Sequence, residues 1–354
     1  MSEMKPGNRH VTIKDVAKAA RVGIVTVSRA LNDQEGVSES TRARVQKTAA
    51  ELGYVPNRHA RFLKLTANRT IAVLVKGMDN QLFSRILARL EKNIREREYL
   101  MNVVSVPHWA DELNEAAKIV DEDSVAGVIF LGAKVLHRTS DLSRLQVPFV
   151  SSTVSLKDSK HRERYSSVAI DDYKESRHVI EYLYSLGHRN IAFVGSDLQD
   201  NSVGLLRFKG YQDALSDLGI SPRPGWIRSF SAQADAPYSY ENGYLMTCQL
   251  LEECREITAI FAIADVLAIG AIHAVHEAGR SVPEQISVVG FDGLQVGRYL
   301  HPPLTTVVQP VEEIAQTTCE LLFEQIDGGE PRHVIFPGEL RLGGTACAAP
   351  ASAV

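Results

Sequence analysis

Apolar and polar positions follow two different repeats along this chain of 354 residues. In the first 65 residues or so, apolar positions recur every three or four residues, which predicts short helices separated by brief turns. From Thr70 onward, apolar runs of strand length alternate with helical stretches, which predicts parallel sheets with helices on both faces. The predicted fold is therefore an all-α head followed by an α/β body.

Nine strand-length runs precede residue 300, more than one compact sheet accommodates, so the body is predicted to form two lobes. The runs are Ile71–Val75, Met101–Val106, Gly127–Leu131, Phe149–Ser152, Ser167–Ile170, Ile191–Val194, Ile227–Phe230, Ala259–Ile263 and Ile286–Phe291. A late strand, helix and strand at 305–308, 311–326 and 333–336 then cross between the lobes. The cleft between two such lobes is the default site for a small ligand.

Local signals mark the helix ends of the head. Thr12 and Asp15 form a capping box before the first helix, and a turn at residues 21–23 separates it from a second helix over 24–31. Ser38 caps a third helix over about 39–52, and Gly53 stands where a helix end needs positive φ. After Pro56, residues 58–65 predict one more helix, which is too short to be stable alone.

Charge is distributed unevenly along the chain. Residues 1–66 contain 12 Lys and Arg against 6 Asp and Glu, whereas the remainder contains 27 against 37, within a net charge of −4. A basic head on an acidic body indicates that the head binds a partner that carries phosphate groups. The polar start has no apolar signal-peptide region and no run reaches membrane-span length, so we expect a cytoplasmic protein that contacts no membrane.

Enzyme signatures are missing. Residues 76–80, Lys-Gly-Met-Asp-Asn, replace G-x-G-x-x-G at the first strand-to-helix turn, and neither a P-loop nor G-x-S-x-G occurs. The four cysteines have no C-x-x-C spacing, and His273 and His276 fit surface or core positions better than metal ligands. We expect no catalytic residues, no metal and no cofactor. A transport-type binding protein is the alternative to a regulator. Such a protein would need a signal peptide, and it would have no use for a basic head.

The first two helices and their short turn have the pattern of a helix-turn-helix. In that motif the second helix enters the major groove with its first residues on base edges. A helical hairpin inside a small core is the alternative interpretation. The basic charge and the tight turn favour DNA binding.

Ordered motifs run through both parts of the chain. In the head they are Thr-Ile-Lys-Asp-Val-Ala at 12–17, Thr-Val-Ser-Arg-Ala-Leu-Asn at 26–32, Val-Ser at 37–38 and Leu-Gly-Tyr-Val-Pro-Asn at 52–57; in the body they lie at 71–75, 186–192, 207–211, 265–270, 286–292 and 303–307. With these motifs, residues 11–345 resemble the LacI/GalR family of bacterial transcription regulators. The resemblance implies a homodimeric repressor of pseudo-palindromic operator DNA. It also implies a type I periplasmic-binding-protein-like body and control by a small effector, a sugar or a related metabolite.

The resemblance also implies a division of the chain into domains. These are a DNA-binding domain at 1–56, a hinge helix and linker at 57–68, an effector-binding and dimerisation domain at 69–345 and a tail at 346–354. Within the body, the N-lobe comprises about 69–168 and 308–335, and the C-lobe about 169–307 and 336–345. The tail has no leucine heptad, which argues against a tetramerising coiled coil.

DNA contacts follow from the same resemblance. Ile24, Val25 and Arg29 occupy groove-facing positions, where Arg29 can bind a guanine and the two apolar residues can pack on a thymine methyl. Packing in the head core is the alternative for Ile24 and Val25. Phosphate contacts, which position without specifying, are implied for Thr12, Thr26, Ser28, Ser38, Thr41 and Arg42. Asn57 can cap the hinge helix and is a further DNA contact. Ala60, Leu63 and Lys64 match the minor-groove face of that helix, with Leu63 either a wedge between bases or a lone apolar linker residue.

Effector contacts are implied for Asp79, Phe83, Arg207, Asp265 and Asp292. The donor fork of Arg207 and the acceptor oxygens of Asp292 suit a polyol or sugar. A salt bridge across the cleft is the alternative for this pair, and a helix cap is the alternative for Asp265. The chain departs from the family's polar pattern at Thr153, Ala264 and Gly293, and from its usual turn residues at Arg21 and Gly23.

Overall fold

A computed structural model describes residues 11–31, 36–54, 69–78, 80–134, 144–155, 162–195, 202–230 and 236–351. The chain divides into two compact units, Met1–Ala67 and Asn68–Val354, which we call the head and the body. Within the described ranges, no helix is both long and apolar enough to cross a lipid bilayer.

The described part of the head consists of the helices α1 (Ile13–Ala20), α2 (Ile24–Leu31) and α3 (Glu39–Glu51). Their apolar faces meet in one core, in which Val16, Val27 and Val45 are fully buried. The sequence predictions for α2 and α3 are confirmed to within one residue. The predicted helix at 58–65 lies outside the described residues.

The predicted caps of the head are confirmed. The Asp15 carboxylate accepts hydrogen bonds from the N–H and the hydroxyl of Thr12 at 2.8 and 2.7 Å. The Ser38 hydroxyl oxygen accepts a hydrogen bond from the Thr41 N–H at 3.4 Å, at the start of α3. These bonds satisfy N–H groups that helix geometry leaves without partners.

The turn between α1 and α2 passes through a left-handed residue that is not glycine. Arg21 ends α1 with φ 53° and ψ 46°. A side chain with a Cβ atom costs about 1–2 kcal/mol in this region, because Cβ approaches the following carbonyl oxygen.

We therefore expect Arg21→Gly to raise the melting temperature of the head by roughly 4–8 °C, since glycine adopts this conformation freely and about 1 kcal/mol is recovered. Circular dichroism of the full-length protein measures the transition. Arg21→Ala is the control, because it removes the charge and keeps the Cβ atom. An equal rise for both variants would assign the effect to charge, and a fall for Arg21→Gly would contradict the argument.

The described part of the body contains twelve strands: β1 (Thr70–Lys76), β2 (Leu100–Val106), β3 (Gly127–Leu131), β4 (Phe149–Ser152), β5 (Ser166–Ile170), β6 (Ile191–Gly195), β7 (Ile227–Ser229), β8 (Ala259–Ala262), β9 (Ser287–Asp292), β10 (Thr305–Val308), β11 (His333–Phe336) and β12 (Glu339–Arg341). The helices are α4 (Gln81–Glu96), α5 (Glu112–Asp123), α6 (Asp172–Ser185), α7 (Val203–Asp217), α8 (Tyr240–Glu253), α9 (Asp265–Glu277) and α10 (Val311–Ile326). The strands alternate with helices through most of the body, as the sequence pattern predicts.

Two six-stranded sheets result, one in each lobe. The first sheet has the order β11-β5-β4-β3-β1-β2 and the second the order β12-β10-β9-β8-β6-β7. All pairs are parallel except β10 and β12. The prediction of two lobes with parallel sheets is confirmed. The antiparallel strand β12 is missing from the sequence prediction, because three residues are too few to show a repeat.

The chain crosses between the lobes three times: after β5, between β10 and α10, and between β11 and β12. The first sheet keeps the chain up to Ile170, two residues beyond the predicted boundary. At the third crossing the Gly338 N–H donates to the buried Glu175 carboxylate at 3.2 Å. A Cβ atom on Gly338 would approach Val307 and Glu175 to 2.9 and 3.0 Å, so this crossing is closely packed.

Candidate functional site

The exposed face of α2 carries three of the predicted DNA contacts. Ile24 and Val25 are 45% and 65% exposed, so they are not part of the head core. Val27 and Ala30 of the same helix are buried and hold it against the other two helices. Arg29 is exposed as well. The first turn of α2 thus presents apolar side chains to the solvent, and Arg29 adds a cation further along the same helix.

Hydroxyl groups lie at the starts of the head helices. Ser38 is exposed and donates a hydrogen bond to the Thr41 hydroxyl at 2.9 Å, while the Arg42 guanidinium donates to the Ala30 carbonyl at 3.4 Å. Thr26 and Ser28 are half-buried on α2, and Thr12 is exposed at the start of α1. Their positions are compatible with phosphate contacts. Five predicted site residues lie outside the described residues: Asn57, Ala60, Leu63, Lys64 and Asp79.

A cleft with about 810 Å³ of free space, part of it open to solvent, separates the two lobes of the body. It lies at the carboxyl ends of the strands, where parallel α/β sheets place their ligand sites. Lys76 and Asp292 end β1 and β9, and Thr153 and Gln309 follow β4 and β10. Among the predicted effector contacts, the structure brings together Phe83, Arg207 and Asp292 around this cleft.

Arg207 is buried in the floor of the cleft and held on several sides. Its Nε donates to Asp172 at 2.8 Å, and its Nη1 donates to the Ile263 carbonyl at 2.5 Å. The same nitrogen lies 3.5 Å from Asp292, and the guanidinium stacks 3.7 Å from the Phe291 ring centroid. Burial lowers the pKa of Arg207, but the Asp172 and Asp292 carboxylates outweigh burial and raise it. The floor therefore carries a permanent, oriented cation.

Asp292 completes this floor at the end of β9. Its backbone has φ 112°, and its carboxylate accepts a hydrogen bond from the Gln309 amide at 2.8 Å. Burial raises the pKa of Asp292 to about 6, although Arg207 opposes the shift. Asp292, Arg207 and Asp172 all belong to the second lobe, so the alternative of a salt bridge across the cleft is wrong. The pair is a bridge within one lobe that lines the cleft.

A second buried ion pair, absent from the sequence predictions, stabilises the side of the cleft that the first lobe forms. The Lys76 ammonium donates to the Glu112 carboxylate and the Ala110 carbonyl, both at 2.9 Å. The other oxygen of Glu112 accepts the Lys134 N–H at 2.7 Å, which fixes a cleft-lining loop. One available signal was Lys76 itself, a charge at the end of an otherwise apolar strand. Glu112, 36 residues away, gave none.

Aromatic rings from both lobes form the walls. His108 of the first lobe and Tyr238 of the second have ring centroids 6.3 Å apart, and Phe230 packs on Tyr238 at 5.5 Å. Together with Phe83 these rings line the cleft above the charged floor. Such a site suits a ligand with an apolar face and hydroxyl-bearing edges. His108 and Tyr238 lie in loops, where no repeat in the sequence marks them, whereas Phe230 ends the predicted apolar run Ile227–Phe230.

Asp265 requires a correction, because it does not line the cleft. Its carboxylate is fully buried and accepts hydrogen bonds from the Thr306 hydroxyl and the Leu294 N–H, both at 2.5 Å. Burial, followed by the charge of Asp292, raises the pKa of Asp265 to about 8. The cap position of α9 belongs to Ala264, so the capping alternative is wrong too. Asp265 holds the turn that follows Asp292.

Similar proteins agree with both parts of this arrangement. Residues 12–57 match the model of "Bacterial regulatory proteins, lacI family", and residues 180–346 match the "Periplasmic binding protein-like domain". The transcriptional regulator MalR of Clostridium butyricum is 35% identical over 333 residues, which are 93% of this chain and 97% of MalR. The chain belongs to the lacI family.

Further relatives of this lacI-family chain extend the comparison. The transcriptional repressor CytR of Escherichia coli K12 is 31% identical and covers 90% of each chain. The lac repressor dimer bound to operator and the anti-inducer ONPF has a TM-score of 0.77 at 28% identity, covering 96% of this chain and 100% of its own. The CelR–cellobiose complex has a TM-score of 0.68 at 27% identity, covering 95% and 99%. The predicted two-lobed, type I periplasmic-binding-protein-like fold is confirmed.

Proposed function

We propose that the protein is a cytoplasmic transcriptional repressor that binds pseudo-palindromic operator DNA as a homodimer. The exposed face of α2 on a basic head is the observation that carries the proposal, since Ile24, Val25 and Arg29 lie there outside the buried core of the head. A dimer places one head on each half-site. In this proposal residues 1–56 are the DNA-binding domain. Residues 57–68 are the hinge, in which Asn57 is a further DNA contact and Ala60, Leu63 and Lys64 face the minor groove.

We also propose that a small carbohydrate or a related metabolite binds in the interlobe cleft of the effector domain, residues 69–345. Arg207 and Asp292 offer donors and an acceptor, while Phe83 and Tyr238 offer apolar faces, a combination that matches the two kinds of surface on a sugar. The relatives include a regulator in complex with cellobiose and a ribose operon repressor. Binding that changes the arrangement of the lobes links ligand and operator affinity.

A thermal-shift screen tests the ligand half of the proposal. Cellobiose, ribose and nucleosides are added to the full-length protein, because a ligand of the folded state raises the melting temperature by mass action. A compound that shifts the body transition is then tested for its effect on operator binding. A compound that binds the cleft without changing operator affinity would contradict the proposed control.

Arg29→Ala tests the DNA half. If Arg29 binds a guanine, its loss removes about 1–3 kcal/mol of discrimination at one position of each half-site, while the other positions keep their preference. Selection of binding sites from random DNA, followed by gel-shift titration at fixed salt, measures this. Arg44→Ala, which removes an exposed cation from α3, is the matched control for charge. A uniform loss of affinity for all sequences would make Arg29 a phosphate contact.

A further inference from the structure

Arg341 is half-buried, but the end of its guanidinium group is enclosed by the body. Both terminal nitrogens are inaccessible to solvent and make no hydrogen bond to any described residue. Arg341 lies on β12 directly opposite Thr306 of β10, so its side chain is on the face where the Thr306 hydroxyl bonds to Asp265. A buried cation without a partner is costly, and such groups in folded proteins are usually satisfied by an ion or a water.

Two more arginines belong to the same surroundings. Arg85 reaches over from α4 of the first lobe and donates to the Gly293 carbonyl at 3.3 Å, next to the turn that Asp265 holds. Arg298 lies on the short helix Gln295–Tyr299 that follows this turn. Burial lowers the pKa of Arg341 and the charges of Arg298 and Arg85 lower it further, while the Asp265 and Glu339 carboxylates oppose the shift. Both Arg85 and Arg298 are exposed.

The nearby acids do not balance these charges. Asp265 already accepts two hydrogen bonds, and because its pKa is raised to about 8 it is largely uncharged at pH 7. Glu339, two residues before Arg341 on β12, is exposed to solvent. Among the described residues, none of the three arginines forms an ion pair with a carboxylate within 4 Å. The cluster is therefore positively charged at neutral pH.

We propose that Arg85, Arg298 and Arg341 form a binding site for an oxyanion, a phosphate group that is free or carried by a metabolite. The two exposed guanidinium groups offer planar donor forks to the solvent, and Arg341 beside them adds a third charge. None of the three lines the interlobe cleft, so the site is separate from that of the effector. Because Arg85 comes from the first lobe and the others from the second, the anion joins the lobes.

Inorganic phosphate is the probe for this site, and the test does not depend on DNA binding. The full-length protein is unfolded thermally in increasing sodium phosphate, with sodium chloride keeping the ionic strength constant, and the transition of the body is followed. We expect the unfolding equilibrium constant of the body to fall about tenfold when phosphate reaches ten times its dissociation constant. Sodium sulfate is compared as a second oxyanion. A site for the phosphate group binds phosphate more tightly than sulfate or binds both, whereas chloride does not stabilise the body.

Matched variants separate the site from general charge effects. Arg85→Gln and Arg298→Gln change exposed side chains and should each remove most of the phosphate response. Arg341→Met should remove it too and, without phosphate, leave the body at least as stable. Arg89→Gln is the control, one turn further along α4, where Arg89 already forms an ion pair with Glu312. An unchanged response in Arg85→Gln and Arg298→Gln, or no stabilisation of the wild type beyond chloride, would overturn the proposal.

Discussion

Arg207→Ala is expected to destabilise the body by about 3–5 kcal/mol and to abolish any response to a cleft ligand. The large cost arises because alanine leaves two buried carboxylates, Asp172 and Asp292, without the cation that faces them. The ligand response disappears because the only cation described in the cleft floor of the second lobe is lost. Denaturant unfolding of the body measures the first effect, and thermal shift with an identified ligand measures the second.

Two further variants make the Arg207 result interpretable. Arg189→Ala removes another arginine of the second lobe that stacks on a ring, Tyr184 at 3.6 Å, but this arginine is exposed and should cost little. Adding Asp172→Asn to Arg207→Ala should recover part of the lost stability, since it removes one uncompensated charge. A double variant as unstable as the single one would show that packing, and not charge, dominates at this position.

Asp265→Asn is expected to stabilise the body at pH 8 by at least about 1.4 kcal/mol, the equivalent of one pKa unit. Asparagine keeps the shape: its oxygen can accept the Leu294 N–H and its amide can donate to the Thr306 hydroxyl. It cannot ionise, so the variant avoids the cost of a buried negative charge. The gain should shrink towards pH 5.

The direction of this pH dependence follows from the pKa values of Asp265 in the unfolded and folded states. In the unfolded chain the pKa lies near the usual aspartate value of 3.8, and in the folded body it is raised to about 8. Between these values the folded body holds a proton that the unfolded chain has released, so its stability falls as the pH rises through this window. Asp292, with a pKa raised to about 6, adds to the fall between roughly pH 4 and pH 6.

Denaturant unfolding at pH 5, 6, 7 and 8 measures the wild type and the variant in parallel. Asp111→Asn is the matched control, because Asp111 also accepts backbone N–H groups but is only half-buried at the start of α5. If Asp265→Asn changes stability equally at all four pH values, the carboxyl is ionised in the folded body, and the raised pKa is wrong.

The pattern of apolar and polar residues in the sequence was enough to predict most of the helices and strands. The run Thr70–Lys76 is almost wholly apolar and became a central strand, as a parallel sheet covered on both faces requires. Arg207 and Asp292 were found because they stand in motifs shared with a known family. In each case the signal is local, and neighbouring residues carry it.

Features that depend on distant residues were missed or assigned wrongly. Asp265 belongs to the same kind of motif as Asp292, yet it turns inward because Thr306 and the turn at Leu294 approach it. Lys76 and Glu112 come together only after β1 and β2 have paired in the sheet. Tyr238 lines the cleft from a loop whose conformation no repeat in the sequence predicts. Which of several polar residues faces the ligand is decided by tertiary packing, which the sequence pattern does not contain.

The three crossings between the lobes also constrain how the body is synthesised. The first sheet needs β11, which ends at Phe336, and the second needs β12, which ends at Arg341. The first sheet is therefore incomplete until the chain has left the ribosome up to Phe336, and the second until Arg341, and until then β5 and β10 present open strand edges. The lobes must finish folding together and late in synthesis. A gene fragment that stops after Ile170 encodes a first lobe without its edge strand and without α10, and aggregation is its expected fate.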